Sequence, residues 1–404
     1  MIQKKYYKTI KVLVNGDGGE TPFYIENIDT QSGTLNFMRG GERWDDLDLY
    51  YRLDDGNWTK YNMETNDSGV EVQAGQKIYF KGDNPNGFIN NINSAARFQF
   101  FNNGVAIRCN VGGYITSLMS SMNSKAITNI PEGAFAYLMG GTYEGDTLKV
   151  ISAKDMRTDN IKTVGNSSFE GLFKWNTSLT EAPSFANVVN VSNDGFKETF
   201  KDCHSLVVAP TFENMTTVGN SSFFQTFYNC TSLVTAPRME NVTTGSSATF
   251  LETFYGCTSL VTAPVLGRLQ TLGENGARCM FMGCTALQVP PTFENFNAYH
   301  WYVFSEAFKG CSALKTTPNF RNLTASGENS FMFNEAFVDC SSLQTIIAPR
   351  FYHDWEGMYY WTESSAPNWV VGVPATGTFY KKRGMEIPFG LSGIPEGWNV
   401  IEED

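Results

Sequence analysis

A seven-residue signature, Phe-x-x-Cys-x-[Ser/Ala]-Leu, recurs through the second half of the chain at an almost fixed period. It runs Phe200-Cys203-Leu206, Phe227-Cys230-Leu233, Phe254-Cys257-Leu260, Phe281-Cys284-Leu287, Phe308-Cys311-Leu314 and Phe337-Cys340-Leu343, with a degenerate copy at Phe173-Asn176-Leu179. The phenylalanines stand 27 residues apart five times running and then 29 apart once. Self-similarity at such a period marks a solenoid, in which each repeat buries its apolar face only against its neighbours. Residues from about 135 to 355 are therefore expected to stack as coils.

Within a repeat, an aromatic stands four residues before the signature Phe (Phe169, Phe196, Phe223, Phe250, Phe304, Phe333), with Ala277 the exception. Phe196, Phe200 and Cys203 share one face at helical spacing, so this stretch is expected to form one or two helical turns. The residue before each Cys (Asp202, Asn229, Gly256, Gly283, Gly310, Asp339) tolerates a left-handed backbone and would end the helix. An extended Ser-Leu-Val-Thr-Ala-Pro run follows, closed by proline (Pro183, Pro210, Pro237, Pro264, Pro291, Pro318). Parallel strands about 4.8 Å apart would make a ladder roughly 30–35 Å long, with each buried Phe or Leu contributing about 1.5–3 kcal/mol. A further column, Asn187, Asn214, Asn241, Asn295 and Asn322, with Arg268 breaking it, is expected to hydrogen-bond turn backbone from coil to coil. The column cysteines read as small buried thiols. Cys279 and Cys284 have no histidine nearby, which argues against a metal there.

The repeat resembles the BspA-type leucine-rich repeat, found in proteins of gut Bacteroides-group bacteria and their phages and prophages. The similarity extends to 49–60 and 76–82, which resemble the small β domain preceding such repeats. It extends also to 375–381 and 392–398, which resemble their terminal motif. The resemblance implies a binding scaffold and specifies no activity. The fold class expected is mostly β: an N-terminal β-sandwich, a right-handed leucine-rich-repeat solenoid with a parallel β ladder and short helical turns, and a C-terminal cap. The expected boundaries are an arm or attachment segment at 1–34, the sandwich at 35–113, the solenoid at 114–355 and the cap at 356–404. A degenerate pair of repeats at 114–165 would shield the first full coil.

With 404 residues there is room for two or three domains. A net charge of −11 argues against sequence-independent nucleic-acid binding and against an anionic membrane surface. Aromatics at 14% against 18% charged residues suit an extracellular or virion β protein. The start, Met1-Ile2-Gln3-Lys4-Lys5, is basic but no apolar core follows, so it does not read as a secretory signal, and no stretch reads as membrane-spanning. A protein retained where it is made, as a phage structural protein is, fits that reading better than an exported adhesin.

Three histidines, His204, His300 and His353, stand in no His-Glu-x-x-His, and neither Gly-x-Ser-x-Gly nor a phosphate-binding glycine loop occurs. Asp45/Asp46 and Asp354/Glu356 are dense carboxylate clusters that read as solvated surface. No enzyme activity, cofactor or metal is expected. The departure with functional content is aromatic: loops that elsewhere hold Asn, Ser, Thr and Gly become Tyr299-His300-Trp301-Tyr302, then Trp355 and Tyr359-Tyr360-Trp361. Rings with a polar edge anchor protein or glycan partners, although these could also pack into the cap. Tyr299, Trp301, Tyr302, Trp355, Tyr359, Tyr360 and Trp361 are thus the candidate ligand-binding residues. The function expected is a non-enzymatic phage virion protein, in a tail, fibre or capsid-decorating position, displaying its repeats to a host surface glycan or protein. Its N-terminal segment would join other virion proteins, and homo-oligomerisation is left open. A bacterial cell-surface adhesin is the alternative, and a carbohydrate-active enzyme comes third.

Overall fold

Short strands open the described part of the chain, and in Val70–Val72 and Ala96–Asn102 every second residue is buried. In the computed structural model, the structure describes residues 20–39, 48–62, 69–88, 96–141, 148–293, 296–298, 300–326, 331–352, 361 and 363–404. Nine strands come first: β1 (Phe23–Asn27), β2 (Gly33–Arg39), β3 (Leu49–Leu53), β4 (Thr59–Lys60), β5 (Val70–Val72), β6 (Lys77–Gly82), β7 (Ala96–Asn102), β8 (Val105–Ala106) and β9 (Arg108–Tyr114). Next come β10 (Asn129–Ile130) and β11 (Lys149–Arg157). All of these but β10 form two sheets, one in the order β11-β9-β1-β6-β3-β4, faced by another in the order β5-β2-β7-β8. Phe98 joins the two, its ring 5.8 Å from Phe23, 4.8 Å from Phe80 and 4.9 Å from Phe37. The two sheets draw on strands from Phe23–Asn27 to Lys149–Arg157, across both boundaries expected at 35 and 113. Phe23–Asn27 falls within the arm expected at 1–34. Instead, β1 lies inside a sheet, hydrogen-bonded antiparallel to β6 on one side and β9 on the other. A short strand without a repeat reads as detached only because its partners are distant in sequence. Residues 1–19 of the expected arm lie outside the described residues.

β11 belongs to both halves of the molecule. It pairs parallel with β9 in the sandwich, and its Ser152 bridges Glu181 in the first full coil. From there a parallel ladder climbs Glu181, Val208, Thr235, Thr262 and Val289, one rung per coil. A second ladder runs through β10, β12 (Thr163–Val164), β13 (Asn190–Val191), β14 (Thr217–Val218) and β15 (Thr244–Gly245). It resumes as β16 (Asn297–Ala298), β17 (Thr324–Ser326) and, beyond β18 (Thr345–Ile347), β19 (Arg350–Tyr352). Register is constant, Asn190 opposite Thr217 and Thr217 opposite Thr244, because the repeat length is constant.

Between the ladders the signature phenylalanines stack. Phe200, Phe227, Phe254 and Phe281 have ring centroids 5.4–5.5 Å apart and interplanar angles of 2–3°. All are buried, so each contributes about 1.5–3 kcal/mol to the core. Leu206, Leu233, Leu260 and their successors form a parallel buried column. The column cysteines are all buried and free. Each thiol donates to a phenylalanine carbonyl of the preceding coil: Cys230 to Phe200 at 3.1 Å, Cys257 to Phe227 at 3.0 Å, Cys284 to Phe254 at 3.0 Å. Burial pushes these thiols up, Cys340 to about 12, which keeps them protonated donors. The asparagine column behaves as its position suggested, with Asn187, Asn214 and Asn241 donating to the carbonyls of Asp159, Ala186 and Glu213.

The expected helical turns are replaced by a ribbon of tight turns. Asp194, Glu198 and Asp202 all have positive φ, as do Ser221, Gln225 and Asn229 in the next coil. A left-handed residue at every fourth position prevents an α-helix, although the Phe spacing of four suits one. N–H groups alternate in direction along the ribbon. Those of Lys197, Thr199, Lys201 and Cys203 bond three residues back, while those of Asp194, Phe196, Glu198, Phe200 and Asp202 reach Asn220, Ser222, Phe224, Thr226 and Tyr228 in the next coil. Among the described residues, the helical segments are short 3-10 turns only.

The cap is a further coil without the signature. Phe333, Glu335, Phe337 and Asp339 donate to Ser365, Pro367, Trp369 and Val371, as any coil donates to the next. Gly372 takes the left-handed position above Asp339, where a Cβ would come 2.4 Å from the Asp339 carboxylate. Two further strands, β20 (Thr378–Lys382) and β21 (Asn399–Glu403), continue the ladder in the order β18-β20-β21. Trp369 ends the phenylalanine stack, its ring edge-on to Phe337 at 5.8 Å and its indole N–H bonded to the Gly393 carbonyl.

Candidate functional site

The first left-handed column of the ribbon holds Ser167, Asp194, Ser221, Ala248 and Asn275, then Tyr302 and Phe331. Small and polar residues take this backbone readily, whereas for a bulky aromatic a φ of 59° or 46° is an outlier. Neighbouring coils hold the backbone here: the Asn275 N–H of the preceding coil bonds the carbonyl of Trp301 at 3.0 Å, and the Phe331 N–H bonds the Ser364 carbonyl of the following coil at 3.2 Å. The Tyr302 and Phe331 rings lie parallel, 5.5 Å apart and inclined by 10°. Trp301 beside them is 57% exposed and Phe331 37%. The Arg278 guanidinium lies 6.0 Å from the Tyr302 ring centre and 3.7 Å from the Glu306 carboxylate. Together they make a two-coil step of rings with a cation at its edge. Ring faces of this kind receive apolar or cationic side chains and the C–H faces of sugars, and a guanidinium donates to hydroxyl or carbonyl oxygens.

Of the candidates from sequence, the structure brings Trp301 and Tyr302 together on this surface. Trp361 is elsewhere. It packs 5.0 Å from Trp369, is 9% exposed and donates its indole N–H to the Ser392 carbonyl, so it belongs to the cap core. Tyr299, Trp355, Tyr359 and Tyr360 lie outside the described residues. Phe331 and Arg278 were missed. Phe331 could have been found from its column, 29 residues after Tyr302 across the longer repeat. His204 stands 3.8 Å from the Asp202 carboxylate on the surface. Among the described residues no group of three or more His, Cys, Asp and Glu is arranged to hold a metal ion, and no helix is long and apolar enough to cross a membrane.

No protein-family model matches the chain, and no curated protein matches it. Two solved structures are similar in part. One is a leucine rich cell surface protein from Faecalibacterium prausnitzii, with 15% identity over 68% of this chain and 77% of that one, at a TM-score of 0.30. The other is a leucine-rich repeat protein from Bacteroides ovatus, with 13% identity over 70% and 92% of the two chains, at a TM-score of 0.14. At such scores the architecture rests on the ladders of this chain, not on the likeness.

Proposed function

We propose that the protein is a non-enzymatic recognition scaffold whose Trp301–Tyr302–Phe331 step contacts a glycan or protein on a host cell. The observation that carries this reading is the pair of aromatics on left-handed backbone. A solenoid has no packing need for large rings at exposed positions that Ser or Asp fills at lower cost, and backbone strain of this kind clusters at binding sites. The net charge of −11 disfavours an anionic partner, and binding to a neutral glycan should depend only weakly on salt. A virion setting, with the particle carrying the protein to its host, is part of the proposal, and a bacterial-surface adhesin is the second reading.

The test is binding of the labelled full chain to candidate host cells and to their isolated surface polysaccharides, for the parent and Trp301→Ala. A drop of tenfold or more with an unchanged melting transition supports the reading. Equal binding per folded molecule overturns it. Mass spectrometry of purified virions separates the two settings.

A further inference from the structure

Parallel sheets are ordinarily covered on both faces. Among the described residues, the ladder that starts at Glu181 is covered on one. Its outward residues include Val208, 61% exposed, Val289 at 49% and, on the neighbouring strand segment, Val265 at 51%. Val207 and Val234 are exposed beside them. Reading the outer column coil by coil gives Glu181, Val208, Thr235, Thr262, Val289 and Thr316; the column next to it gives Thr180, Val207, Val234, Val261, Gln288 and Lys315. Between Glu181 at one end and Lys315 at the other, neither column carries a charge. The order Val-Thr-Thr-Val also reads the same in both directions.

We infer that this strip is a two-fold interface between two copies of the chain. A two-fold axis parallel to the strands, between the Thr235 and Thr262 coils, reverses the coil order of the second copy. Val208 then faces Val289, and Thr235 faces Thr262. The Glu181 end of each copy meets the Lys315 end of the other. Isologous contacts require such self-complementarity, and it is charge complementarity at the strip's ends that selects a second copy over an unrelated apolar partner. Glu181 already holds Lys154 at 3.1 Å and the Ser152 hydroxyl at 2.8 Å, so Lys315 would join an existing polar cluster. The ring step lies on the turn ribbon, outside this strip, so a dimer would carry two steps and bind a repetitive surface with avidity.

Sedimentation velocity of the full chain over a concentration series tests the interface. The expected result is a reversible shift from 45.0 kDa to twice that mass. Val208→Lys should hold the protein monomeric and melt like the parent at dilutions where the parent is itself a monomer, because the side chain is 61% exposed in the single chain. Glu181→Lys and Lys315→Glu should each weaken the dimer, and the double exchange should restore it. A monomer at every concentration overturns the proposal, as does a dimer that survives Val208→Lys. Failure of the double exchange to restore association overturns the coil-reversed geometry on which the proposal stands.

Discussion

The Asn176 side-chain oxygen accepts the N–H of Val150 at 3.0 Å, across the seam where the sandwich becomes a solenoid. Asn176 occupies the cysteine position of the degenerate first signature. Its amide nitrogen, like the thiols above it, donates back one coil, to the Met139 carbonyl at 2.9 Å. Its oxygen adds a bond that a thiol is poorly suited to replace. Asn176→Cys completes the column yet should destabilise the protein by about 1–3 kcal/mol, because the buried Val150 N–H loses its acceptor. Urea denaturation measures this, and a variant as stable as the parent would show that the seam does not depend on the bond.

Phe254→Ala should cost about 3–5 kcal/mol. The ring lies 5.4 Å from Phe227 and 5.5 Å from Phe281, and both neighbours are held by their own coils, so neither can move in to fill the space. Thiol titration gives a second readout: the cysteines should be silent in the native parent and Cys257 should begin to react in the variant.

Tyr302→Asn separates binding from stability. Asn accepts a left-handed backbone at little cost, so strain of order 1–2 kcal/mol is relieved, offset by about 0.5–1.5 kcal/mol of lost stacking on Phe331. The melting transition should therefore stay level or rise while host binding falls. A variant that melts much lower and binds normally would make Tyr302 a structural ring.

Acid should weaken the ribbon at Glu198. Burial pushes its carboxyl up, but the Lys174 hydrogen bond at 2.7 Å and the charges of Lys174 and Lys201 outweigh it, leaving the group below its ordinary 4.5. A depressed folded-state value means stability that is fully present above the unfolded value and is lost as pH falls through the folded one. Glu198→Gln should thus cost about 1.5–3 kcal/mol near neutrality, with the gap to the parent closing below about pH 4.5. A gap independent of pH would place the loss in packing rather than charge.

Removal of residues 1–34 should abolish folding of the sandwich, since it takes away β1 from between β6 and β9. Circular dichroism of the truncated chain checks this, and a native-like spectrum would return those residues to the role of an attachment arm.

The columns of Phe200, Cys203 and Leu206 were legible because a repeat that stacks on itself must show its core at a fixed period. The ribbon was not, because Phe196, Phe200 and Cys203 satisfy helical spacing and Glu198 is no left-handed residue by preference; its conformation is set by the coil above it, which accepts its N–H. The last coil was hidden for a related reason. Trp369 takes the place of the next phenylalanine and turns edge-on to Phe337, so the signature disappears while the backbone bonds remain. At the candidate site, Trp301 and Tyr302 were visible as interruptions in a polar loop, whereas Arg278 reaches Tyr302 from the preceding coil and only the stacking brings them together.

The alternating N–H groups of the ribbon also determine how the molecule would respond to force. Bonds from Asp194, Phe196, Glu198, Phe200 and Asp202 all cross to the same neighbouring coil, and the free cysteines add no covalent link between coils. A load applied between the two ends would pull along these bonds and detach coils singly. Each 27-residue coil would release roughly 89–97 Å of extended chain at about 3.3–3.6 Å per residue. Under tension the protein would lengthen in nearly equal steps, taking up strain at a contact while its remaining coils stay folded.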